Sequence, residues 1–205
     1  MEHSHFMKAQ EIIQIFRKSI AEYHLIDQVD ANMPEHYDKN SFEYLLFRKN
    51  WIDTVQWHLE DIIRNPKIEP ENLVSIKRKI DASNQDRTDT VELIDEFLFK
   101  SLKNVNLESN ARLNSETPAW LLDRISILQL KIYHFQEQLS RKEINLIHRE
   151  SVNYKLSILK IQESDLENCY NELMDDLRDG KKYMRLYKQM KMYNDPNLNP
   201  VLYEK

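Results

Sequence analysis

A single glycine, Gly180, serves a chain of 205 residues. Glycine supplies the left-handed turns that hairpins and β-rich folds need repeatedly, so its near absence argues against sheets. It also excludes a glycine-rich phosphate loop, and with it the Walker and Rossmann fingerprints. One cysteine is present, Cys169. No intramolecular disulfide and no cysteine-based zinc cage can then form, and a lone cysteine is expected to be a small core filler. No apolar run reaches the length of a bilayer-spanning helix. The opening Met-Glu-His-Ser-His-Phe lacks the basic and apolar regions of a signal peptide, so the expected location is the cytoplasm. No His-Glu-x-x-His occurs, and the Glu-x-x-His of di-iron bundles appears only from Glu2 to His5. No cofactor or metal motif is evident.

What the chain does contain is helix. Hydrophobic residues make up 41% and charged residues 31% of it, which suits one folded domain rather than a disordered chain. Helical spacing of apolar residues predicts a first helix from about Met7 to Asp27, carrying Ile12, Ile13, Phe16, Ile20 and Tyr23. Asn40 and Glu43 predict a capping box that opens a second helix to about Arg64, with Phe42, Leu45, Ile52, Val55, Leu59 and Ile62 along its stripe. Pro70 predicts the start of a third, reaching about Leu102. Thr117 as N-cap and Pro118 as first residue open a fourth, to about Leu139. A fifth runs from about Glu143 to Arg178 with Val152, Leu156, Leu159, Leu166, Tyr170, Leu173 and Leu177 on one stripe, and Gly180 is placed to end it as a left-handed cap. The expected fold is an all-α antiparallel bundle of about five long helices with a short C-terminal helix and an extended tail. Residues 1–39 form its N-terminal helix and loop, 40–180 the bundle core and 181–205 a basic, tyrosine-rich tail.

The third helix breaks its own pattern. Its stripe runs Leu73, Ile76, Ile80, Asn84, Arg87, Val91, Ile94, Leu98, so its centre is polar while its spacing is unbroken. A buried arginine costs several kcal/mol unless paired, and a buried asparagine needs partners for both ends of its amide. Asp81 and Asp89 flank the stripe. On the second helix Trp57, Asp61 and Arg64 share a face, with His58 one turn before Asp61. On the fourth lie Asp123, Arg124, Lys131 and His134. If these faces converge, they form an inter-helical site of Trp57, His58, Asp61, Asp81, Asn84, Arg87, Asp89, Asp123, Arg124, Lys131 and His134. Bundles usually place ligand sites in such positions. The plainer reading makes the carboxylates a solvated helix edge, the histidines ordinary satisfied residues, and the tryptophans packing residues.

Charge is unevenly spread. Beyond Gly180 there are six lysines and arginines against two carboxylates, a net +4, which leaves −9 for the first 180 residues of the total −5. Tyr183, Leu186, Tyr187, Met190 and Tyr193 fall on one face of an expected helix from Lys181 to about Met192. That tail either docks its aromatic face on the bundle or presents its basic face to RNA, an anionic membrane or an acidic ligand. Its lysines also suit the acidic body. No clear nucleic-acid signal emerges.

Three blocks together resemble one bacterial family. They are Asp81-x-x-Asn-Gln-x-Arg87, then Leu113-Asn-Ser-Glu-Thr-Pro118 with Asp123-Arg124 and Leu130-Lys-Ile-Tyr-His134, and finally Lys191-Met-Tyr-Asn-Asp-Pro196 with Leu198-Asn-Pro200. The family is the one catalogued as domain of unknown function 4254, and the resemblance spans roughly residues 40–203. It implies a small helical bacterial protein without an assigned activity, so no catalytic residue carries over.

The expected function is binding of a small polar or anionic ligand at the inter-helical site. Arg87, Arg124 and Lys131 would supply positive charge, Asp61, Asp81 or Asp89 would orient them, and His58 or His134 would carry protons. One alternative is a non-enzymatic partner or scaffold linked to cell-envelope sugar metabolism, with the tail as its docking element. Another is Mg²⁺-dependent nucleotide hydrolysis on Glu60, Asp61, Glu92 and Asp95. Whether the fifth helix pairs within the chain or across a homodimer is open at this stage.

Overall fold

Five long helices follow one another in the computed structural model, which describes residues 6–190 and 197–203. They are α1 (Ala9–Ile26), α2 (Phe42–Ile63), α3 (Pro70–Leu102), α4 (Pro118–Ser140) and α5 (Leu146–Arg178), followed by a single turn, α6 (Pro200–Tyr203). Among the described residues sheet is confined to two-residue strands, β1 (Arg112–Leu113) and β2 (Lys182–Tyr183), paired in parallel. The all-α bundle is therefore the observed fold. Among the described residues no helix is long and apolar enough to cross a membrane.

Helix ends follow local chemistry. Pro70 and Pro118 each sit at the first helical position, where a missing N–H costs nothing. The second helix is capped one residue later than expected, because Ser41 rather than Asn40 accepts the N–H of Tyr44. Thr117 flanks α4 but does not cap it with its side chain. Its hydroxyl donates instead to Asp95 on α3, and Asp95 Oδ1 accepts the Ala119 N–H at 3.1 Å, so the cap is supplied by a neighbouring helix.

α1 buries Ile12, Ile13, Phe16, Ile20 and Tyr23 almost completely. Each such side chain contributes about 1.5–3 kcal/mol relative to exposure. It packs against α2, α4 and α5, while α2 also packs on α3 and α4, and α4 on α5. A shared core results, with Leu46, Phe47, Val91, Ile94, Leu122, Ile125, Tyr170 and Leu173 among its members. Leu73 and Ile62 are exposed, so the start of α3 and the end of α2 run past this core. Ile147, Tyr154, Ile158 and Ile161 are likewise exposed on the first half of α5. Cys169 is exposed on the second half, which corrects its expected role as core filler.

The tail departs most from expectation. Residues 181–190 are not helical; Lys182 and Tyr183 pair with Arg112 and Leu113, and residues 184–190 have no regular structure. The backbone of the long loop before α4 competes successfully with helical spacing here. Glu108 N–H donates to Gly180 O, Arg112 N–H to Lys181 O and Asn114 N–H to Tyr183 O. The expected positions of Met192 and Tyr193 lie outside the described residues. Gly180 has φ of 73°, as its capping role requires, and a Cβ there would lie 2.2 Å from the carbonyl oxygen of Asn106. Lysines of the segment meet the acidic body: Lys182 pairs with Asp176, and Lys188 with Glu92 and Glu96.

Candidate functional site

Four charged side chains from three helices meet where α2, α3 and α4 come together. Lys49 on α2 is fully buried and pairs with Asp53, one turn along the same helix, and with Asp123 on α4 at 2.9 Å. Arg87 on α3 grips Asp123 with Nε and Nη2, at 2.9 and 2.5 Å, and lies 3.3 Å from Asp53. Ser126 donates to Asp53 at 2.5 Å, and Asn50 Nδ2 donates to Ser126 at 2.9 Å. Two cations and two carboxylates balance, which is the condition under which buried charge is tolerable. Asn50 Oδ1 is buried without a partner among the described residues.

The two carboxylates differ in their titration. Burial pushes the Asp53 carboxyl above its ordinary range, and Lys49 does not compensate fully with Asp123 so close. Burial acts on Asp123 in the same direction, but Lys49 and Arg87 together outweigh it and hold that carboxyl below its ordinary value. Asp123 is thus the anionic anchor of the cluster.

This cluster reaches solvent through a cleft of about 370 Å³, lined by Asp53, Arg87, Trp57, Ile127 and Leu130, with Gln56, Glu60, Asp61 and Arg64 completing it. Arg87 keeps 28% of its side chain exposed, whereas Lys49 and Asp53 are sealed beneath it. Its hydrogen bonds to Asp123 use Nε and Nη2, so Nη1 is the nitrogen left over for another acceptor. Gln56 donates to Glu60 at 3.3 Å while its Oε1 is buried and unpaired among the described residues. By contrast, another polar junction between helices is closed on itself. There Arg17, Gln129 and Lys160 all converge on Glu163 or one another, joining α1, α4 and α5.

Behind Trp57 lies a group of imidazoles. The Trp57 ring stacks on His134 with centroids 4.8 Å apart and planes 11° from parallel. His58 and His24 approach each other through their Nε2 atoms at 3.2 Å. His58 stacks on Tyr23 at 5.0 Å, and His24 lies against Tyr133 at 4.3 Å. Burial, followed by the neighbouring His24 and His134, lowers the pKa of His58.

The expected site residues divide accordingly. Trp57, Asp61, Arg87 and Asp123 are brought together around the cleft or directly beneath it. His58 and His134 join each other and His24 rather than the cleft wall. Asp81 is exposed and paired with Lys77, and Asp89 is exposed and accepts from Gln85 at 2.7 Å. Arg124 points outward to Glu116 at 3.3 Å, and Lys131 is exposed. These four do not assemble with Arg87; Arg124 follows Asp123 directly, and one residue rotates the helix by about 100°. Asn84 is half-buried, with its backbone carbonyl accepting from Thr88 and its side chain outside the ionic cluster. Glu92 and Asp95 turn to Lys188 and Thr117 respectively, away from Glu60 and Asp61. Sequence reasoning missed Lys49, Asn50, Asp53, Ser126 and His24.

A family model described as a protein of unknown function (DUF4254) matches residues 43–186, which include every residue of the ionic cluster and the cleft. No curated protein and no solved structure matches the chain.

Proposed function

We propose a small-molecule-binding role for this chain, which belongs to the DUF4254 family. Its ligand is a small polar molecule that carries an anionic group beside hydrogen-bond donors. The observation behind this reading is the position of Arg87, fixed by Asp123 from below and open to a walled cleft from above. An arginine held by two bonds loses little freedom when a third acceptor arrives, which favours an anionic group at that point. Gln56 Oε1 and the carboxylates of Glu60 and Asp61 accept donors, while Trp57, Ile127 and Leu130 cover an apolar portion. A volume of about 370 Å³ falls within the usual range of small-ligand sites.

The histidines do not line the cleft, so the reading is one of binding rather than of proton transfer by His58 or His134. A scaffold role with the tail as docking element has less support, because Lys181, Lys182 and Lys188 are each engaged with carboxylates of the same chain. Hydrolysis at Glu60, Asp61, Glu92 and Asp95 lacks the shared geometry that a divalent ion needs.

Thermal stability and tryptophan fluorescence across a panel of carboxylate- and phosphate-bearing metabolites test the proposal. At least one member should stabilise the parent and perturb Trp57, and Gln56→Leu should lose that response while remaining folded. A parent that ignores the whole panel, or a Gln56→Leu variant that keeps every response, overturns it.

A further inference from the structure

We propose that His24, His58 and His134 form a binding site for one Zn²⁺ ion, or a similar first-row divalent ion, at the junction of α1, α2 and α4. One ring nitrogen from each residue lies within 4.8 Å of the other two. The His24–His58 separation of 3.2 Å is already close to that of two nitrogens on one tetrahedral zinc, about 3.4 Å for bonds of about 2.0–2.1 Å.

The surroundings orient these rings as metal ligands are oriented. His24 Nδ1 lies 2.7 Å from the carbonyl oxygen of Ile20. That oxygen can only accept, so Nδ1 holds the ring proton and Nε2 presents a lone pair to His58. His134 Nδ1 lies 3.1 Å from a carboxylate oxygen of Glu137, which sets the same tautomer. Its Nε2 is buried and has no partner among the described residues. Backbone carbonyl and carboxylate groups behind the distal nitrogen are the usual outer partners of metal-binding histidines. A buried lone pair without a donor is a cost that an ion removes. Each ring is also fixed by an aromatic neighbour: Tyr133 against His24, Tyr23 on His58 and Trp57 on His134. Without an ion, the His58 Nε2 proton bridges to His24; on binding, His58 takes its other tautomer and its Nε2 becomes the third ligand.

Access and charge agree with this assignment. His58 lines a second, open hollow together with Asp27, Asp61 and Asp30, the last paired with Lys79, so a cation approaches past the Asp27 and Asp61 carboxylates. Three protein ligands are the number found in zinc sites that keep a fourth position for water. Imidazole-only donor sets favour zinc, copper, nickel and cobalt over magnesium or calcium.

The test is titration of the untagged, chelator-treated full chain with ZnCl₂ against a chromophoric chelator, and with CoCl₂ followed by its visible absorption. His3 and His5 are replaced by serine in every protein used, since a terminal His-x-His binds such ions by itself. One ion per chain, a tetrahedral cobalt spectrum and quenching of Trp57 fluorescence by cobalt are expected. His58→Gln and His134→Gln should each weaken zinc binding by about tenfold or more, and His148→Gln should not. Circular dichroism confirms that each variant is folded; if one is not, His24→Gln replaces it. Absence of zinc binding to the parent, or equal binding by the folded cluster variants, overturns the proposal.

Discussion

Lys49 of α2 and Asp123 of α4 meet at 2.9 Å with neither side chain more than 6% exposed. This pair fastens two helices from within, and Asp53 and Arg87 close the charge balance around it. Removing one member of a buried, paired set leaves the others uncompensated, typically at a cost of about 3–5 kcal/mol. Lys49→Met should lower the free energy of unfolding by about that much in urea titrations. Adding Asp53→Leu to Lys49→Met should recover part of the loss, because Arg87 then serves Asp123 alone. A double variant no more stable than the single one would mean that Asp53 is already neutral beside Lys49.

Asp95 makes stability depend on pH in the opposite sense to most carboxylates. Burial raises its pKa from 3.8 to about 6, although Thr117 and the Ala119 N–H pull the other way. The folded state therefore holds this proton more tightly than the unfolded chain does. The stability that protonation contributes is complete below pH 3.8, drains as pH rises toward about 6, and is absent above that. A shift of this size corresponds to about 3 kcal/mol. Asp95→Asn mimics the neutral acid, since its amide can donate to the Thr117 hydroxyl while its oxygen accepts from Ala119. The difference in unfolding free energy, parent minus variant, should fall by roughly 2.4 kcal/mol between pH 4 and pH 7. Parallel pH profiles would show that Asp95 titrates normally.

The starts of α3 and α4 are legible in the sequence because proline at the first helical position is a local signal, independent of the rest of the fold. Arg87 was legible as a polar residue in an apolar stripe. The same signal is present at Lys49, which fills the seven-residue gap between Leu45 and Ile52 on α2. The histidine cluster had no such mark. His24, His58 and His134 come from three helices, and no spacing within one helix announces their meeting. The tail was misread because Tyr183, Leu186, Tyr187 and Met190 have helical spacing, whereas the outcome is decided by backbone pairing with Arg112 and Leu113, some seventy residues earlier.

Gly180 is the point on which that pairing turns. Its left-handed conformation costs a residue with a Cβ about 1 kcal/mol, and the carbonyl of Asn106 leaves no room for that atom. Gly180→Ala should therefore lower stability by about 2–4 kcal/mol, more than the conformation alone explains. Asparagine tolerates the left-handed region better than alanine but carries the same Cβ. Gly180→Asn should thus be nearly as damaging in thermal unfolding; a mild Asn variant beside a severe Ala one would mean that the loop at Asn106 yields.

Arg87 distinguishes structural from ligand roles within one side chain. Arg87→Lys keeps the charge near Asp123 but loses both the fork that satisfies the two Asp123 oxygens and the guanidinium nitrogen not used in it. Arg87→Met loses all three, yet Lys49 still neutralises Asp123. The methionine variant should lose about 2–3 kcal/mol of stability and the lysine variant about half of that, read from urea midpoints. Ligand-induced stabilisation should disappear in both, because a lysine amine drawn onto Asp123 has no second donor fixed in the direction of the cleft. If Arg87→Lys retains the full ligand response while losing stability, the guanidinium serves the ionic cluster only, and the ligand is held by Gln56, Asp61 and Arg64 instead.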